Sequence, residues 1–120
     1  MGETYAEVIL RNNGEEIKKK LLVDTGSTFS WVHSGTLKQL GIRPIDEEGL
    51  ETIEGKIVKR KIGFVEMECL GRRGPSGVIF ARDKDSEVLG LHALEGLRLE
   101  VDPYRKRLKR SKAIKALLSI

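Results

Sequence analysis

Three apolar residues run straight into an acid in Leu21-Leu22-Val23-Asp24-Thr25-Gly26-Ser27. The apolar triplet belongs in a strand, and Gly26 permits a sharp turn directly after it. A carboxylate at such a strand end is poorly solvated unless the turn supplies donors. Thr25 offers a hydroxyl to neighbouring backbone, Gly26 admits the close approach of another chain, and Ser27 can donate to the outer carboxylate oxygen. The bland alternative is a plain Asx-turn, in which Asp24 bonds its own backbone and nothing more. The other aspartates (Asp46, Asp83, Asp85 and Asp102) sit in polar or turn contexts without an apolar lead-in.

The rest of the pattern is mostly β. Ala6, Val8 and Leu10 alternate over Thr4 to Leu10, a half-buried strand. Asn13-Gly14 suits a type I′ hairpin turn and returns the chain as Ile17 to Val23. Phe29 to Val32 reads as a short strand, with Trp31 as core. Ser34 is placed to cap a helix through Leu37 and Leu40 that Gly41 closes. A hairpin with Glu54-Gly55 at its tip follows, flanked by Leu50, Ile53, Ile57 and Val58. Lys61 to Leu70 is a long strand, Gly71 to Gly77 a Gly/Pro loop, and Val78 to Ala81 a strand again. Asp83-Lys84-Asp85 is a turn. Val88-Leu89-Gly90 then precedes a helix over Leu91 to Leu97. Strands at Arg98 to Val101 and Tyr104 to Leu108 flank Asp102-Pro103. Ser111 opens an amphipathic helix with Ile114, Leu117 and Leu118 on one stripe. The domain expectation is therefore residues 1–110 as one unit and 111–120 as a helix packed on it or on a partner.

Composition removes several classes. No apolar run in the 120 residues approaches the roughly 18 needed for a membrane span. The N-terminus has no basic and then apolar leader, so export by a signal peptide is not expected. The single cysteine, Cys69, excludes an internal disulfide and a multi-cysteine zinc site, and reads as a reduced, half-buried strand thiol of a cytoplasmic protein. No His, Cys, Asp or Glu cluster has metal-ligand spacing. His33 and His92 read as surface or helix-start residues; Ser27, His33 and Asp24 lie too close in sequence, without a nucleophile elbow, for a triad. Residues 98–120 hold eight Lys/Arg against Glu100 and Asp102, while residues 1–97 carry 14 basic and 16 acidic groups. The basic run reads as a solvated face, and nucleic acid is not expected as a partner. Abundant Glu and Lys with only Asn12, Asn13 and Gln39 as amides is a bias reported for hyperthermophiles.

Taken together, the strand-end Asp24-Thr25-Gly26-Ser27, the later Val88-Leu89-Gly90 before a short helix, and a hairpin between them resemble the retroviral-type aspartic proteases. The resemblance covers most of residues 4–110, and Leu89 to Pro103 looks like the prokaryotic members in particular. Leu91 stands where the viral enzymes have Arg, Gly55 is the lone tip glycine, and residues 104–120 extend past the viral end. The resemblance implies a mainly β, closed antiparallel barrel-like single lobe with short helices, and no cofactor or metal. It implies an aspartic endopeptidase acting on peptide or unfolded protein, with Asp24, Thr25 and Gly26 catalytic. Gly26, Ser27, Ile53, Glu54, Gly55 and Ile57 would bind substrate, with Thr52 to Ile57 as a flap. Proteolysis of this kind needs two carboxylates sharing a proton. One copy of the motif in 120 residues therefore implies a homodimer. The alternative is a non-enzymatic dimeric peptide- or nucleic-acid-binding module on the same fold, using the basic C-terminal segment.

Overall fold

The computed structural model describes residues 3–112, so the helix expected over 111–120 falls almost wholly outside the described residues. Strands β1 (Tyr5–Asn12) and β2 (Glu15–Val23) form the expected hairpin, in register from Tyr5 opposite Leu22 to Asn12 opposite Glu15. Asn13 and Gly14 both take positive φ, +51° and +80°, as a type I′ turn requires. Ala6, Val8 and Leu10 are buried, as the alternation predicts.

β3 (Ser30–His33) leads directly into α1 (Ser34–Gln39). Ser34 is the first helical residue and makes no side-chain cap, whereas Gly41 closes the helix with φ +76°. β4 (Asp46–Glu51) and β5 (Ile57–Cys69) pair from Asp46 opposite Ile62 to Glu51 opposite Ile57. The Gly/Pro stretch 71–77 is not a loop. It belongs to β6 (Arg72–Ala81), joined to β5 by a two-residue turn at Leu70 and Gly71, both with positive φ. Pro75 is tolerated because this half of β6 pairs with β5 alone; β3 joins the other edge only from Val78 onward.

β7 (Val88–Leu89), α2 (Leu91–Gly96), β8 (Leu99–Asp102) and β9 (Arg107–Arg110) complete the described chain. β9 starts three residues later than Tyr104 because the Asp102 carboxylate accepts the Tyr104 and Arg105 N–H groups at 3.0 and 3.1 Å and tightens the turn. These bonds, that from Arg105 foremost, hold the Asp102 carboxyl below the usual range. In β9 Leu108 is buried, while Arg107, Lys109 and Arg110 face water.

The main sheet runs β1-β2-β7-β3-β6-β5-β4, and β1 also pairs with β5, so the pairings from β1 through β5 return to β1 and leave β4 outside. The sheet is mixed rather than antiparallel, since β2–β7 and β3–β6 are parallel. Long connections around the ring bring these strands alongside each other in the same direction. Inside lie Val8, Leu10, Leu21, Val32, Leu37, Met67, Val78 and Leu89, all fully buried. Cys69 is buried rather than half-buried, and burial pushes its thiol up, away from the reactive thiolate. No described helix is long and apolar enough to cross a membrane.

Two substitutions test this account by chemical denaturation at fixed protein concentration. Leu89→Ala empties a fully buried position between β2 and β3 and should cost about 2–5 kcal/mol. Leu70→Asn relieves a branched side chain of a left-handed backbone and should add on the order of 1 kcal/mol.

Candidate active site

The end of β2 is gripped on both sides. Val23 N–H donates to the Thr4 carbonyl at 2.8 Å and Asp24 N–H to that of Leu89 at 3.0 Å. The chain then turns, with Gly26 N–H on Asp24 Oδ1 at 3.0 Å and Ser27 N–H on the Asp24 carbonyl at 3.2 Å. This Asx-turn uses one carboxylate oxygen and leaves the second without a partner among the described residues.

The turn rests on the Val88-Leu89-Gly90 segment. Leu91 and His92, the first two residues of α2, donate their N–H groups to the Ser27 and Thr28 carbonyls at 2.7 and 3.1 Å. Gly90 N–H donates to the buried Ser30 Oγ at 3.0 Å. A Cβ on Gly90 would stand 2.3 Å from the Phe29 oxygen and 2.8 Å from that of Ser27, so only glycine fits. Phe29 is not in a strand. Its ring covers Gly77, where a Cβ would sit 3.1 Å away, and meets His92 edge-on at 5.4 Å.

Several expectations change here. Ser27 Oγ donates to the Phe29 carbonyl at 2.7 Å rather than to Asp24. It braces the loop from within. Asp24, Thr25 and Gly26 are exposed, so one chain does not desolvate the carboxylate, and the Thr25 hydroxyl has no partner among the described residues. His33, already read as outside any triad, donates its Nε2–H to the Asp85 carbonyl at 3.1 Å.

Asp24, Gly26 and Ser27 border a cleft of about 560 Å³. Across it stand Glu51, Thr52, Ile53 and Glu54 of the β4–β5 hairpin, and Lys84, Asp85 and Ser86 form a wall. The cleft thus brings five expected site residues together: Asp24, Gly26, Ser27, Ile53 and Glu54. Thr25 lies on a neighbouring depression with Thr4 and Val101. Gly55 takes φ +83° at the hairpin tip, and Ile57 packs its methyl toward Gly49; neither borders the cleft. Trp31 is half-buried cleft lining rather than core, because its ring stands on the side of β3 opposite Ser30 and Val32. Glu51 and the wall went unread in the sequence, although the Asp83-Lys84-Asp85 turn just before Val88 was a usable signal.

Charge in the wall is organised. Arg60 of β5 grips Asp85 with Nε on Oδ2 at 2.8 Å and Nη2 on Oδ1 at 3.0 Å. Arg82 N–H adds a third bond, to Oδ2 at 2.8 Å. The Arg60 guanidinium above all holds the Asp85 carboxyl below the usual carboxylate range. Behind it, Glu87 accepts His33 N–H at 2.9 Å and pairs with Lys19 at 2.9 Å. Among the described residues, no three His, Cys, Asp or Glu side chains are placed to hold a metal ion.

This architecture is the retroviral-protease fold. EIAV protease, solved in complex with the inhibitor HBY-793, is similar at a TM-score of 0.64 and 20% identity, over 80% of this chain and 88% of that one. The Simian Foamy Virus (mac) protease, a solution structure, is similar at 0.55 and 21% identity, over 78% and 94%. Neither a family model nor a curated protein matches the sequence. At these identities the likeness is one of fold, and the chemistry has to be argued from the residues.

Gly90→Ala should unseat the loop and cost about 3 kcal/mol, because backbone atoms have to move. Gly96→Ala, in open space at the end of α2, should be neutral or mildly stabilising. Equal melting temperatures for the two variants would refute the seat.

Proposed function

We propose that the protein is an aspartic endopeptidase working as a homodimer, with Asp24 of each subunit supplying one carboxylate. The observation that carries this reading is the Asp24-Thr25-Gly26 turn, held rigidly from behind and left exposed in front, at the mouth of a cleft roofed by a hairpin. A single exposed carboxylate is an ordinary surface group. A second copy across a two-fold axis would cover it, supply the missing partner and give the Thr25 hydroxyl something to bond. On this reading the ring of paired strands is a small closed barrel, residues 1–110 are the catalytic domain, and 111–120 lie against it or the partner.

With one proton shared by two carboxylates, the ionised one takes a proton from water as the water oxygen attacks the scissile carbonyl carbon. The protonated one gives its proton to the carbonyl oxygen. Collapse of the resulting diol breaks the C–N bond, and the amine leaves with a proton from the pair. No cofactor enters. Gly26 would bond substrate backbone and Ser27 would keep the loop in shape. Ile53, Glu54, Gly55 and Ile57, on the hairpin over Thr52 to Ile57, would close over an extended peptide by strand addition.

The deciding assay is cleavage of a denatured protein at about pH 4 to 6, where such a pair holds one proton. Wild type should cleave and pepstatin should block it. Asp24→Asn removes both carboxylates of the dimer at once and should fall to background while staying folded. Persistent cleavage by a clean Asp24→Asn preparation would sink the assignment. Peptide or nucleic-acid binding without any cleavage would instead favour a non-enzymatic module on this fold.

Thr25→Val should weaken the dimer, whereas Thr36→Val on α1 should not. Sedimentation at micromolar concentration compares the two, and identical dissociation constants would rule out a bracing role for Thr25.

A further inference from the structure

The β4–β5 hairpin is a cantilever. β4 pairs only with β5, and β5 meets β6 only from Ile62 onward, so residues 46–61 have no other strand to lean on. Across that whole span, among the described residues, one side-chain hydrogen bond or ion pair reaches the rest of the protein. It is Arg60 on Asp85. Both side chains are largely shielded, at 12% and 18% exposure, and the two parallel N–H···O bonds fix direction as well as distance. Asp85 is itself immobilised. It accepts the Arg82 N–H, donates its own N–H to the Arg82 carbonyl at 2.9 Å, and takes the His33 ring on its carbonyl. Its neighbours Lys84 and Ser86 border the cleft on one side, as Ile53 and Glu54 do on the other.

We propose that the Arg60–Asp85 fork is a latch that sets the separation between the hairpin and the cleft wall, which makes Arg60 a positioning residue for the peptide held between them. The role in peptide binding rests on the aspartic-peptidase reading; the latch itself does not. The fork is suited to acid conditions. Asp85 keeps its charge below the pH at which an ordinary aspartate loses it, so the link is present above that lowered pH and is lost only as pH falls through it. The charged or titratable groups around it are Arg82 and Lys84 on its own loop, His33, Glu87 and Lys19 behind, Lys38, Glu47, Lys59 and Lys61 on the Arg60 side, and Asp24, Glu51 and Glu54 across the cleft.

Trp31, the only tryptophan of the chain, borders the same cleft and gives a readout independent of catalysis. Acrylamide quenching of Trp31 should rise about 2-fold in Arg60→Gln and in Asp85→Asn, with no further rise in the double variant, as expected for one shared interaction. In wild type it should stay flat through mild acid and rise only below the ordinary aspartate range. For cleavage of an unfolded protein, Arg60→Gln should raise KM about 10-fold with kcat within about 2-fold, the signature of lost binding rather than lost chemistry. Arg60→Lys keeps the charge without the fork and should fall between; it replaces Arg60→Gln if that variant does not fold. Wild-type quenching and KM in a folded Arg60 variant, or additive effects in the double variant, would overturn the latch. Asp24→Asn keeps the two readings apart, because it should abolish cleavage and leave Trp31 quenching unchanged. If quenching responds to Arg60→Gln while wild type cleaves nothing, the latch stands and the peptidase reading falls.

Discussion

The site depends on one missing side chain. At Gly90 the backbone of the Asp24 loop comes so close that even a methyl group would overlap the Phe29 carbonyl. That approach lets the first two N–H groups of α2 reach the carbonyls of Ser27 and Thr28, so the loop and the helix start satisfy each other. Leu89 completes the arrangement by accepting the Asp24 N–H. The carboxylate is therefore presented by a frame built from two segments more than sixty residues apart.

Much of this was legible in the sequence, and the reasons are local. Alternating Ala6, Val8 and Leu10 with Asn13-Gly14 can hardly encode anything but a hairpin, and Gly41 ends α1 where a left-handed residue was needed. The Asp24 turn and the Val88-Leu89-Gly90 segment could each be picked out. Their mutual seat could not, because Ser30 and Phe29 act through long-range contacts that leave no periodic trace. β6 was misread for a related reason. Glycine and proline in 71–77 say turn by propensity, yet tertiary pairing with β5 overrides it, and one free edge excuses the proline. Trp31 reads as core from the sequence, yet it is half-buried and borders the cleft. Strand direction was also beyond reach, since parallel pairs arise from how distant segments meet.

Charge is distributed by the same logic. The basic excess collects in the β8–β9 region and beyond, where Leu108 turns inward and its cationic neighbours face water. At the cleft wall Asp85 is instead paired with Arg60, and behind it Lys19 is paired with Glu87. Paired charges of this kind contribute little if exposed, but shielded and forked they fix geometry. Asp24 is left open toward the cleft, with one carboxylate oxygen holding the Gly26 N–H and the other without a hydrogen-bond partner among the described residues.

The outer edge of β4 has another consequence. Four of its six residues, Asp46, Glu47, Glu48 and Glu51, are exposed acids on a strand with one unpaired side. An open strand edge invites any other open edge, including that of a sister molecule. Two such edges bring their acids face to face and repel, so the molecule carries its own safeguard against stacking into fibres. The safeguard is electrostatic and hence conditional on solvent. In concentrated salt, with the repulsion screened over a few ångströms, this edge loses that protection against other copies.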